Sequence, residues 1–233
     1  MPFTARGFPA SVSPHQIFMT LPQLLTASIC LGSSIAAVVS ERKGWRAGRG
    51  IFKTIASTAF VVLGLLCGAA ETFYGHWLLA GLVLCWIGDV FLLSFRKDLF
   101  LIGTVAFLFA HFAFIAAFAS LPLNWITFYS ALALAGLFAA AILVWLWPRL
   151  NGIFKVAIPL YVAAILTMTA MAIAASVASG PMLAAAGAIA FTASDVSVAR
   201  DRFVVRDVTN YGWGLPLYFL AMILLAYSAV SKP

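Results

Sequence analysis

Residues 77–97 read WLLAGLVLCWIGDVFLLSFRK. Apart from Asp89, no charged side chain interrupts the run before Arg96 and Lys97 close it. At about 1.5 Å per residue, a helix of this length crosses the roughly 30 Å hydrocarbon layer of a bilayer. The stretch sets a pattern of an apolar span, a basic anchor at one end and a single acid kept inside. Working outward in both directions, the same pattern recurs. Apolar segments fall at 16–40, 51–70, 76–95, 99–120, 124–147, 154–178, 181–199 and 210–231. The links are short, so neighbouring helices should pack antiparallel. The expectation is an all-α, polytopic membrane helix bundle with eight transmembrane helices, forming one domain over residues 16–233. The first fifteen residues hold three prolines and lack a secretory-signal pattern, so residues 1–15 read as a short tail.

Composition agrees with that reading. Of 233 residues, 64% are hydrophobic and 9% charged, with a mean hydropathy of +1.07. A soluble domain carries about 25% charged residues, so water-soluble, disordered and disulfide-scaffold classes are excluded. The net charge of +7 reports topology rather than a nucleic-acid partner. Arg42, Lys43, Arg46, Arg49 and Lys53 cluster around link 1–2, and Arg96 with Lys97 in link 3–4. Arg149 and Lys155 flank link 5–6, while Arg200, Arg202 and Arg206 lie around link 7–8. The alternate links contain neither Lys nor Arg, so 12 of the 14 basic residues share one side, leaving Arg6 and Lys232 on the other. By the positive-inside rule that side is cytoplasmic and both termini lie outside. The chain is expected to be an integral multi-pass membrane protein, of the inner membrane in a bacterium. Cys30, Cys67 and Cys85 all sit inside apolar runs and read as packing residues.

Charge is scarce enough for each acid to be assigned. Glu41, Asp98, Asp201 and Asp207 belong to the basic links and Glu71 to an opposite link. Asp89 and Asp195 remain inside apolar helices, about 10 Å above Arg96 and about 8 Å above Arg200. A carboxyl at that depth costs on the order of 2–3 kcal/mol unless it is paired or wetted, and it marks a functional site by default. Two at one depth point to a shared polar cavity. Lys53, Tyr161 and Tyr218 reach the same layer, and His111 lies deeper, near or past the midplane. The alternative for Lys53 is to snorkel to the surface, and for the tyrosines to bond neighbouring helices. Stripes of small residues (Gly81–Cys85–Asp89, Lys53–Ser57–Gly64, Ala184–Ala188–Thr192–Asp195) turn these side chains toward the bundle interior. A weak echo, Gly-Ile-Phe-Lys at 50–53 and again at 152–155, suggests two parallel four-helix repeats. No GxSxG, HExxH or P-loop pattern occurs. With His111 the lone intramembrane histidine, no catalytic metal and no cofactor is expected.

At these residues the chain resembles the YhhN-like lysoplasmalogenases, a family of eight-helix membrane proteins. The resemblance is carried by Trp86-Ile87-Gly88-Asp89-Val90-Phe91-Leu92-Leu93, then Gly103, Phe107, His111 and Phe118. It continues through Pro159, Tyr161, Gly187-Ala188, Phe191, Ser194-Asp195, Ala199, Phe203 and Tyr218. It covers the chain from about Lys53 onward. Thr54 stands where the family usually has Pro, Phe114 where Tyr is common, and Met222 where Gln is frequent. The resemblance implies hydrolysis of the vinyl ether of a lysoplasmalogen, giving a fatty aldehyde and glycerophosphoethanolamine or glycerophosphocholine. Asp89 and Asp195 would then be the catalytic pair, one as acid and one as ionised carboxylate, with the assignment between them open. Lys53, Tyr161, Tyr218, His111 and Ser194 would bind substrate, with Lys53 meeting the phosphate. The expected partners are the lysophospholipid substrate and membrane lipids. Two other classes use the same residues: a proton-coupled transporter, expected to break its helices near the site, and a lipid-binding membrane protein without turnover.

Overall fold

The computed structural model describes residues 19–94, 96–178 and 182–230. The expected tail 1–15, Arg6 and Lys232 lie outside them. Eight helices run in order: α1 (Leu21–Arg42), α2 (Arg46–Leu66), α3 (Phe73–Phe91), α4 (Lys97–Ala119), α5 (Trp125–Leu146), α6 (Phe154–Ala178), α7 (Met182–Phe203) and α8 (Val208–Tyr227). Each is long and apolar enough to span a membrane. One-turn 3₁₀ segments, Trp147–Arg149 and Ser228–Val230, extend α5 and α8.

The largest departure from the expected spans is α2, which starts at Arg46 rather than residue 51 and ends at Leu66 rather than 70. Gly50 does not stop the helix. The breaks come from Gly44 and Gly68, which hold the left-handed φ values of 69° and 81°. After α1, the Trp45 N–H donates to Ser40 O (2.9 Å) and the Gly44 N–H to Glu41 O (3.0 Å). After α2, Ala69 N–H donates to Gly64 O (3.0 Å) and Gly68 N–H to Leu65 O (3.0 Å). Both are Schellman closures, which satisfy the last carbonyls of a helix and need a residue free to adopt positive φ. The first closure lets α2 start at Arg46 and so brings Arg46 and Arg49 into its first turn.

Packing follows the small residues. In the α3–α4 contact Gly81 lies under the ring of Phe114, Gly88 under Phe107, and Gly103 against Gly88 O. In the α7–α8 contact Gly187 meets Ala221 O and Leu225, and Gly214 meets Ser197. Close backbone approach of this kind replaces the hydrophobic driving force that lipid cannot supply. α8 is the innermost helix, touching α1, α2, α3 and α7. α5 packs against α6 and buries only Ala139 and Leu146, presenting Ile126, Leu134, Leu137 and Val144 outward. Such an apolar outer face suits a lipid neighbour.

The two ends are fastened by polar contacts. At the basic end, the Arg200 guanidinium donates to Asn210 Oδ1, Asn210 Nδ2 donates to Val205 O (2.8 Å), and Ser197 Oγ donates to Asn210 O (2.6 Å). Asp207 caps α8; its carboxylate accepts the Thr209 N–H, which holds it below the usual range. At the opposite end, Gln23 Nε2 donates to Leu66 O (3.0 Å) and Tyr227 OH to Gln23 O (3.1 Å), tying α1 to α2 and α8.

Candidate active site

Lys53 and Ser57 are one turn apart on α2 and face α3 together. Lys53 Nζ lies 3.1 Å from Asp89 Oδ1 and donates to Asp89 O at 3.4 Å. Asp89 Oδ2 accepts from Ser57 Oγ at 2.6 Å and from Tyr218 OH, on α8, at 2.9 Å. Asp89 is 3% exposed and Lys53 7%. Three helices therefore close around one carboxylate. A buried ion pair offsets its desolvation only when its remaining lone pairs are also bonded, and the two hydroxyls supply that here.

Asp195, on α7, is held differently. Its Oδ2 accepts from Tyr161 OH of α6 at 2.7 Å, and its side chain is 19% exposed. His111, on α4, brings Nε2 to 3.9 Å from the same oxygen, too far for a direct hydrogen bond. The other ring nitrogen, Nδ1, is 2.5 Å from Phe107 O. A carbonyl can only accept, so Nδ1 carries a proton, and in the neutral ring Nε2 is then the acceptor. His111 is fully buried, and its Nε2 has no hydrogen-bond partner among the described residues.

Aromatic rings join the two carboxyls. Tyr218 packs on Phe191 with centroids 5.6 Å apart. Phe191 stacks on His111 at 4.9 Å and 26°, and His111 meets Tyr161 edge to face at 4.9 Å. Phe107 completes the wall against both Tyr218 (5.9 Å) and Phe191 (6.3 Å). Tyr218 and Cys85 lie within electrostatic range of both Asp89 and Asp195.

Most of the residues singled out in the sequence meet here. Lys53 is turned inward onto Asp89 rather than toward the bundle end. His111 is level with Asp195, not deeper, because its side chain reaches Asp195 from a neighbouring helix. Ser194 is buried but turned away: its Oγ donates to Phe191 O (2.7 Å) in its own helix. Its hydroxyl touches neither carboxyl. Of the residues that depart from the family's pattern, Phe114 and Met222 are fully buried. Ser57, Phe107 and Phe191 belong to the site without having been named for it. Ser57 follows Lys53 by four residues, Phe107 precedes His111 by four, and Phe191 precedes Asp195 by four. The one-turn spacing was the available signal.

These features define an integral membrane protein of eight helices with two unlike carboxyls in its interior. The YhhN family model matches residues 48–229, and the chain belongs to that family. The matched region contains every residue of the site and leaves out α1. Lysoplasmalogenase TMEM86A of Bos taurus is 32% identical over 158 residues, covering 65% of this chain and 64% of the relative. Its Homo sapiens counterpart is 31% identical over 158 residues with the same coverage. The chain thus matches 64% of the length of these curated relatives. No solved structure matches at a significant level.

Proposed function

We propose that this protein hydrolyses the vinyl ether bond of a lysoplasmalogen, with Asp195 as the proton-transferring group and Asp89 as a fixed carboxylate. The observation that carries the reading is the unequal pairing of the two acids across one aromatic wall. Asp89 is matched by an ammonium and two hydroxyls. Asp195 accepts from one phenol, has no Lys or Arg in contact among the described residues, and is the more accessible of the two. The names of the curated relatives support the same chemistry.

In the proposed reaction, protonated Asp195 delivers its proton to the alkenyl carbon that does not bear oxygen. The carbon bonded to oxygen becomes an oxocarbenium centre, and Asp195 is left as a carboxylate. Water then adds to that centre and gives a proton back to Asp195, forming a hemiacetal. Collapse of the hemiacetal breaks the bond to the glycerol oxygen and releases a fatty aldehyde and the glycerophospho-alcohol. One water is consumed and the acid is regenerated, so a single group serves first as acid and then as base. The 3.9 Å gap between His111 Nε2 and Asp195 Oδ2 suits a bridging water that donates one hydrogen to each. Its lone pairs would then point at the substrate. Phe107, Phe191 and the ring of Tyr218 offer π-faces to the developing cation.

A carrier would need helices broken near the site. α6 and α8 instead run without interruption past Pro159 and Pro216, which favours the hydrolase. We also infer that the basic end faces the cytoplasm, since 12 of 14 Lys and Arg residues gather there. The decisive experiment is aldehyde release from lysoplasmalogen by the purified chain in detergent. Activity above a matched Asp195→Asn preparation is expected, and its absence between pH 5 and 8 would overturn the reading.

A further inference from the structure

At the basic end, one to two turns beyond the Lys53–Asp89 pair, an open pocket of about 470 Å³ is lined by Glu41, Gly44, Arg46, Arg49 and Arg206. Its lining carries three guanidinium groups and one carboxylate. Arg49 is 8% exposed and is fixed in the wall: Nη1 donates to Glu41 Oε2 (3.2 Å) and Nη2 to Leu93 O (3.1 Å). Glu41 is thereby engaged by Arg49. Arg46 and Arg206 come from different elements, the first turn of α2 and the loop before α8, and both are exposed. The left-handed turn at Gly44 forms the rim, where a Cβ would meet open space. α2 begins here, so the positive end of its dipole also faces the pocket. Planar guanidinium forks match phosphate oxygens better than any other side chain.

We propose that this pocket binds a phosphate oxyanion, and specifically the phosphodiester of the lysolipid head group. The proposal rests on the hydrolase reading for the identity of the lipid. Position argues for it. Arg49 and Arg46 lie about 6 Å and 10 Å along α2 from Lys53. Five bonds separate the phosphorus of a lysolipid from its vinyl ether oxygen, roughly 6 Å in an extended zigzag that advances about 1.25 Å per bond. A phosphate held by Arg46, Arg49 and Arg206 would therefore set the vinyl ether at the depth of the two carboxyls. The Lys53 ammonium, engaged with Asp89, is replaced in the phosphate role by three arginines nearer the surface.

The test uses the full chain in detergent and does not depend on turnover. Binding of a saturated 1-alkyl lysophosphocholine, which has no vinyl ether to cleave, is compared with binding of the phosphate-free 1-alkylglycerol. Wild type is expected to prefer the phospholipid by roughly tenfold or more, as charge-assisted bonds to one phosphate imply. Arg46→Gln with Arg206→Gln, both at exposed positions, should remove most of that preference. Arg46→Lys with Arg206→Lys should restore part of it. Equal preference in wild type and the Gln variant would overturn the proposal. So would saturable binding of inorganic phosphate that the Gln variant loses while its lysolipid affinity is unchanged, because the site would then serve free phosphate. Loss of lipid preference in a chain that releases no aldehyde would keep the pocket and sink the hydrolase reading. Aldehyde release with the preference unaltered by the substitutions would do the reverse.

Discussion

Asp89 and Asp195 occupy similar positions in their helices, each inside an apolar span a few residues from a basic end, yet the protein treats them as opposites. Asp89 is sealed among α2, α3 and α8 and is bonded to Lys53, Ser57 and Tyr218. Asp195 bonds one tyrosine and keeps part of its surface open. A carboxyl that must gain and lose protons gains nothing from three fixed donors. One that must remain a charge needs all of them. Under the proposed mechanism, the difference separates a group that reacts from a group that stays charged.

The widest consequence is for turnover. Asp195→Asn removes the transferable proton and is expected to lower kcat by at least about 10³-fold, within the range of general acid–base catalysis. Its fold should hold, because the substitution disturbs one hydrogen bond, worth about 1 kcal/mol. Asp89→Asn should also suppress activity, but through the fold as well. Lys53 would be left as a buried cation without a counter-charge, a change that costs roughly 3–5 kcal/mol. A thermal melt in detergent is expected to place Asp89→Asn well below both wild type and Asp195→Asn. Adding Lys53→Met to the Asp89→Asn chain should recover most of the lost Tm without recovering activity. If the two Asn variants melted together, the proposed division between a sealed charge and a reactive acid would be wrong.

His111 sharpens the Asp195 side of the comparison. Its own Nε2 is a buried ring nitrogen that no described residue satisfies, and it faces the oxygen of the proposed acid. His111→Asn should reduce kcat by roughly 10–10²-fold, below the effect of removing a general acid. KM should change little, since the residue would act on water and not on the lipid. A rise in KM at constant kcat would make His111 a part of the chain-binding wall instead, alongside Phe191, on which it stacks.

The architecture and the two acids were legible in the sequence because lipid leaves few alternatives. Apolar runs must become helices, and an acid left inside one must be accounted for. The positive-inside spacing of Arg and Lys counted the same eight spans a second time. What could not be read was partnership. In the sequence Lys53 can snorkel to the surface or face the interior, and only the approach of α3 turns it to Asp89. The α2 boundary moved because the stopping signals are the positive-φ glycines 44 and 68, while Gly50 lies within the helix. His111 looked too deep when counted along α4, since depth along one helix does not include the reach of a ring toward its neighbour.

The serines make the smallest and cleanest comparison. Ser194 adjoins Asp195 in sequence, yet adjacent residues on a helix point about 100° apart, and its hydroxyl is spent on Phe191 O. Ser57 is 32 residues from Asp89 and donates to it at 2.6 Å. Ser57→Ala should therefore remove a charge-assisted bond from a buried carboxylate, costing about 1.5–3 kcal/mol and lowering Tm. Ser194→Ala exchanges an internal helix bond for a better helix former and should change stability by no more than about 0.5 kcal/mol. Its kcat is expected to remain within about twofold of wild type, since general acid–base groups are worth far more. Parallel melts and aldehyde-release rates for the two variants separate neighbours along the chain from neighbours in space. A large loss from Ser194→Ala with little from Ser57→Ala would mean that α7 presents a different face to the site, and the geometry around Asp195 would have to be redrawn.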